Sequence, residues 1–154
     1  MRPGDRLLCC FIENHLAGNT FSEWPLHSTI VPWFRSSAAT RELADALKAR
    51  LASTSPFKIV IGGEAGFGYH GRKLVNLIES PTPLEYIEKE FREILHARDA
   101  WIVDETTKIQ RQFLPHVTVL GSNRVHAGDT INCSSLYIVE QKGDYKETVG
   151  SIYL

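Results

Sequence analysis

The sequence predicts an α+β fold in which two small pseudo-symmetric lobes share one core. Three observations predict it. Strand-like apolar runs alternate with two amphipathic helices in the order β-β-α-β-β-α-(β)-β-β-β. One tripeptide, His-x-Thr, occurs once in each half, as His27-Ser28-Thr29 and His116-Val117-Thr118. No linker-like or low-complexity stretch divides the 154 residues, so 1–154 reads as a single domain.

Each element has its local reason. Leu7 to Glu13 is an apolar run of strand length, followed by a loop over Asn14 to Glu23. Trp24 to Phe34 is rich in β-branched and aromatic residues and bracketed by prolines, which predicts a short strand of about six residues. From Ser37 to Ala52, Leu43, Leu47 and Leu51 recur every four residues among charged ones, an amphipathic helix that Ser55-Pro56 closes off. Phe57 to Ile61 and Arg72 to Glu79 read as a hairpin around the glycine-rich loop Gly62 to Gly71. Thr82-Pro83-Leu84-Glu85 opens a second helix, with Thr82 as cap, Pro83 at the first position and Glu85 closing a capping box. Leu84, Ile87, Phe91, Ile94 and Leu95 form its buried face through Ala97. A short strand at Trp101 to Val103 and a polar, irregular stretch to Phe113 follow. Strands at Pro115 to Gly121, Ile131 to Glu140 and Tyr145 to Tyr153 complete the chain, the last two joined at Lys142-Gly143-Asp144.

Composition narrows the function. Hydrophobic residues make up 43% and charged ones 23%, which excludes disordered and fibrous classes. Lys and Arg number 17 against 18 Asp and Glu, a formal net charge of −1. Gripping long duplex nucleic acid needs a basic excess, so a nucleic-acid partner is short or met by a local patch. No run approaches the ~18 apolar residues of a membrane span. The N-terminus has a basic start and an apolar stretch, but Glu13 and Asn14 follow with no small-residue cleavage site, which predicts a first strand and not a signal peptide. Cys9, Cys10 and Cys133 are odd in number, with two adjacent, and make a poor disulfide framework. They read as small buried hydrophobes in a reducing cytoplasm.

The repeated tripeptide carries the chemistry. Random order would give about 0.4 His-x-Thr in this composition, so two, each in a strand with a proline close upstream, stand above chance. Residues i and i+2 of a strand share a face. His27 and Thr29 therefore project together, as do His116 and Thr118, while Ser28, Val117 and the aliphatic followers Ile30 and Val119 turn away. If the two strands lie side by side, a pocket with two imidazoles and two hydroxyls results. That set suits a phosphodiester: one imidazole as general base, the other as general acid, the hydroxyls donating to non-bridging oxygens. No metal is needed, because the second imidazolium supplies positive charge.

His27-Ser28-Thr29-Ile30 and Leu114-Pro115-His116-Val117-Thr118-Val119 resemble the twin signatures of the 2H phosphoesterases, and most nearly the branch of 2′-5′ RNA ligases and RNA 2′,3′-cyclic phosphodiesterases. Ser28 stands where that family usually has an apolar residue. The resemblance implies two lobes of mostly antiparallel sheet, helices packed outside and central strands facing a shared cleft. It implies metal-independent hydrolysis of a nucleoside or RNA 2′,3′-cyclic phosphate, or reversible 2′-5′ ligation, with no cofactor. His27, Thr29, His116 and Thr118 fall on the catalytic positions, the second-motif histidine as base and the first as acid. The implied partner is a small cyclic nucleotide or RNA terminus, met by a monomer.

Other candidates surround the motifs. Trp33, Phe67, Tyr69 and Phe113 are aromatics that could stack a base, and Arg72, Lys73, Lys108 and Arg111 are cations that could meet outlying phosphate. Gly62 to Gly71 lacks the P-loop pattern and precedes a strand, which excludes both phosphate-loop fingerprints. His15, His70, His96 and His126 share no ligand spacing, which disfavours a zinc hydrolase. A nucleotide- or RNA-binding module without catalysis is the alternative, although binding alone does not require two titratable rings.

Overall fold

The computed structural model describes residues 1–13, 18–103 and 112–154. Their strands form two antiparallel sheets. The first contains β1 (Arg6–Phe11), β2 (Thr20–Phe21), β3 (His27–Arg35), β6 (Trp101–Ile102), β9 (Ser135–Gln141) and β10 (Lys146–Tyr153), in the order β2-β10-β9-β1-β3-β6. The second contains β4 (Phe57–Phe67), β5 (Lys73–Glu79), β7 (His116–Thr118) and β8 (Thr130–Cys133), in the order β7-β5-β4-β8. The helices α1 (Thr40–Arg50) and α2 (Thr82–His96) pack on each other, α1 also against β10 and α2 against β3. No helix among the described residues is long and apolar enough to cross a membrane.

Several elements depart from the expected boundaries. Strand β7 holds only His116–Thr118 of the expected Pro115 to Gly121 run, and β2 forms inside the expected loop. Strand β3 spans nine residues and runs through Pro32. A register slip makes this possible: between the pairs Arg6↔Phe34 and Leu8↔Val31, β3 uses one more residue than β1. Such a bulge accommodates a residue without an amide hydrogen. Strand β4 continues past Ile61 through Gly62 and Gly63 to Phe67, with a register shift between Ile61 and Glu64. At Gly62 a Cβ would stand 3.1 Å from the Leu77 carbonyl oxygen, so glycine here permits close strand approach, not a loop. The run from Ile131 to Glu140 is two strands in different sheets, parted at Ser134. Finally, the capping box does not form: Pro81 occupies the cap position, no side chain caps α2, and the Glu85 amide donates to the Pro81 carbonyl at 2.9 Å. Thr82 thus lies inside the first turn.

Strand alternation sorts the first sheet's side chains between two cores. Leu8, Cys10, Ile30, Leu136 and Ile138 face the helices and join Ile59, Ile61, Ile78 and Val117 of the second sheet in one buried cluster. Phe34 in the same cluster meets Phe91 of α2 edge-on, at 5.5 Å between centroids. The two lobes therefore share a core. Leu7, Cys9, Tyr137 and Val139 form a second cluster, flanked by Phe11, Phe21, Trp24 and Trp33. Cys9 pairs with Thr29 and Phe11 with His27, so this aromatic-rich cluster floors the side from which the first motif projects. Two arginines secure that register. Arg35 grips the buried Asp5 carboxylate through two hydrogen bonds of 2.7 and 2.8 Å. Arg6 holds the turn into α1 through Thr40 Oγ1 and the Ser36 and Ala38 carbonyls.

Candidate active site

Strands β3 and β7 lie against each other where the two sheets meet. Within them the alternation takes the expected form, although Val119 lies beyond β7 and is only half-buried. Ser28, Ile30 and Val117 are fully buried, whereas His27, Thr29, His116 and Thr118 are half-buried. In the second sheet, β5 pairs Leu77 with His116 and Val75 with Thr118, and β4 pairs Phe67 with Lys73. Residues 73, 75 and 77 alternate onto one face, so Phe67, Lys73, His116 and Thr118 share it.

The two imidazoles are anchored alike. Nδ1–H of His27 donates to the Pro25 carbonyl at 2.9 Å, and Nδ1–H of His116 to the Leu114 carbonyl at 2.7 Å. A carbonyl oxygen only accepts, so each neutral ring carries its proton on Nδ1 and keeps Nε2 as the available base. In both motifs the acceptor is the carbonyl two residues upstream. The pseudo-symmetry of the tripeptides thus extends to tautomer and ring orientation.

Their electrostatics differ in degree. Burial pushes His27 down to about 4, opposed by the hydrogen bond to Pro25 and reinforced by the charges of Lys73 and His116. Burial also lowers His116, opposed by its hydrogen bond to Leu114 and reinforced by Lys73. A proton on His116 therefore helps to keep His27 neutral. Among the described residues no three His, Cys, Asp or Glu side chains converge. Among the described residues, the positive charge acting on both imidazoles is that of Lys73.

The remaining candidates separate. Phe67 meets His116 edge-on, with centroids 4.6 Å apart at 68°. Lys73 acts on both imidazoles. Tyr69 and Arg72 stand farther out at the tip of the β4–β5 hairpin, Tyr69 79% exposed with the Arg72 guanidinium 6.0 Å from its ring. Trp33 lies in the aromatic cluster below the first motif and meets Trp24 at 6.2 Å. Phe113 packs against the shared core, the cluster that also holds Val117 of the second motif. His15, Lys108 and Arg111 lie outside the described residues. Sequence reasoning missed Trp24, whose indole stacks on His27 with centroids 4.1 Å apart at 26°. Its signal was available: a tryptophan-proline step one residue before the first motif. A separate hollow of about 670 Å³ lined by Arg92, His96, Trp101 and Ile102 lies beside α2 and β6 and contains none of the motif residues.

A family model described as the 2′-5′ RNA ligase superfamily matches residues 12–134, a span that includes both motifs. The chain belongs to that superfamily. Its fold is similar to that of several solved structures. Escherichia coli LigT in its apo form aligns with a TM-score of 0.65 at 13% identity, covering 100% of this chain and 99% of that one. LigT complexed with 3′-AMP aligns at 0.63 and 14% identity, with 99% of each chain covered. A structure described as a phosphoesterase aligns at 0.60 and 14%, again over 99% of each. No curated protein matches the chain in sequence. Membership of this 2H superfamily supports phosphoesterase-type chemistry for the protein.

Proposed function

We propose that the protein hydrolyses nucleoside or RNA 2′,3′-cyclic phosphates, or makes and breaks 2′-5′ bonds at RNA ends, by paired-histidine acid–base catalysis. The observation that carries this reading is the pair of imidazoles on abutting strands, each held through Nδ1 so that Nε2 stays free. His27 is the more depressed of the two and stays neutral throughout the physiological range. We assign the base role to His27, whose ring burial and two cationic neighbours keep neutral, and the acid role to His116, opposite to the order the family resemblance implies.

In hydrolysis, His27 Nε2 removes a proton from water as its oxygen bonds to phosphorus. The ring P–O bond breaks, and the departing ribose oxygen takes a proton from His116 Nε2. The Thr29 and Thr118 hydroxyls donate to the non-bridging oxygens, and Lys73 offsets the negative charge that builds in the transition state. Proton exchange with solvent restores both rings. A small nucleotide ligand is consistent with the 3′-AMP held by LigT. Three free, buried cysteines fit a reducing, cytoplasmic setting.

The test is turnover of 2′,3′-cyclic nucleotides, cyclic-ended oligonucleotides and 2′-5′ dinucleotides with chelator present. His27→Ala and His116→Ala should each lose ~10³-fold or more while remaining folded. A bridging sulfur at the leaving position needs no general acid and should rescue His116→Ala but not His27→Ala. Full turnover in both variants overturns the reading. Tight nucleotide binding with no turnover of any of these substrates would instead favour a binding module.

A further inference from the structure

The two motif histidines share a backbone anchor but not their aromatic surroundings. Among the described residues, His116 meets Phe67 edge-on, whereas His27 lies nearly flat on Trp24, with Phe11 tilted at 6.4 Å. The indole is itself confined. Lys146 Nζ stands 5.6 Å from its ring, and that lysine is only 9% exposed and donates to the Ser22 carbonyl at 3.3 Å. Phe21 and Trp33 tilt against the same indole at 5.0 and 6.2 Å. Trp24 also precedes Pro25, whose carbonyl fixes Nδ1 of His27. The stacking surface and the hydrogen-bond acceptor thus come from one tryptophan-proline step that proline makes stiff.

We propose that Trp24 is a positioning residue: its indole, braced by Lys146, holds the His27 ring flat and shielded from water so that Nε2 stays aimed at the reacting phosphate. The aim at phosphate rests on the function proposed above; the holding of the ring does not. Among the described residues, the charged groups acting on His27 are Lys73 on β5 and His116 on β7, with Lys146 of β10 beyond the indole. All are cationic when charged, so none of them favours an imidazolium at His27. A stacked indole offers a protonated ring some cation–π attraction, but burial, the largest cause acting on this ring, disfavours its charged form. Removing the indole therefore admits water and makes His27 easier to protonate.

The experiment follows the C2–H resonance of His27, assigned by its loss in His27→Gln, through a pH titration of the wild type, Trp24→Ala and Trp24→Phe. The same proteins are assayed for kcat and KM against pH on a 2′,3′-cyclic nucleotide. Trp24→Ala should move the His27 midpoint up toward its ordinary value near 6.5 and carry the acid limb of kcat/KM with it. It should lower kcat by about tenfold, with a smaller change in KM. Trp24→Phe keeps a flat ring and should recover most of both. A merely structural role would lower the thermal midpoint and leave the titration in place. A folded Trp24→Ala whose His27 titrates as in wild type overturns the proposal. Should that variant not fold, Trp24→Leu, apolar but not planar, carries the same test. Loss of the catalytic reading, through unchanged turnover in His27→Ala and His116→Ala, leaves the resonance titration to decide the role of Trp24.

Discussion

His27 joins folding to chemistry in a single side chain. The ring is held neutral by burial and by two neighbouring cationic groups, so its folded-state midpoint of about 4 lies below its ordinary value near 6.5. Between those values the unfolded chain binds more protons at this position than the folded one does. The contribution of neutral His27 is therefore complete above about pH 6.5 and is lost as pH falls through 4. His116, depressed in the same direction, adds to the same slope. Thermal midpoints recorded from pH 7.5 to 4 should fall across this window, and His27→Gln should make the decline shallower. A decline identical in the variant would mean that His27 titrates normally in the folded protein. The sign is opposite to that of a histidine paired with a carboxylate, which stabilises only while charged.

At the level of single elements, the β4–β5 hairpin delivers Phe67 and Lys73 to the second motif, and its tip is built around glycine. A Cβ on Gly66 would come 2.4 Å from the Gly71 carbonyl oxygen, a backbone atom with little freedom to yield. The intervening 3-10 turn, Tyr69–Gly71, holds His70 at a φ of 54°, in the left-handed region. Gly66→Ala should destabilise by about 1–3 kcal/mol, and it should lower kcat/KM because Phe67 is the next residue. Gly63, where a Cβ would meet nothing within 4 Å, is the matched control; Gly63→Ala should stay within about 0.5 kcal/mol of wild type. Denaturant midpoints compare the two variants directly. Equal effects would show that the hairpin tip tolerates what its geometry forbids.

Across the whole molecule, the shared core decides how the lobes behave. Phe91 of α2 is fully buried and packs edge-on against Phe34 of β3, in a cluster that also takes in Ile61 and Val117 of the second sheet. Its loss should cost about 3–5 kcal/mol, through lost contacts and the cavity left behind. Because both lobes draw on that cluster, Phe91→Ala should lower one cooperative transition, with tryptophan fluorescence and far-ultraviolet circular dichroism coinciding. Separate transitions for the two probes would show lobes that fold apart. The chain's crossing from β8 to β9 at Ser134 adds a covalent reason for unity, since one lobe's edge strand continues directly into the other.

Much of this was legible in the residues themselves. Period-2 alternation set His27 with Thr29 and His116 with Thr118 on half-buried faces and sent Ser28, Ile30 and Val117 inward, because side-chain direction in a strand depends only on neighbouring positions. The same local logic marked both helices by their leucine, isoleucine and phenylalanine spacing. Tertiary structure alone decided that β3 and β7 abut, that the run from Ile131 divides between sheets, and that Trp24 covers His27 while Phe67 meets His116. Those outcomes follow from contacts between distant segments, where the balance of burial, backbone pairing and water exclusion is set by the whole fold. Local pattern names the two imidazoles; long-range packing makes them unequal.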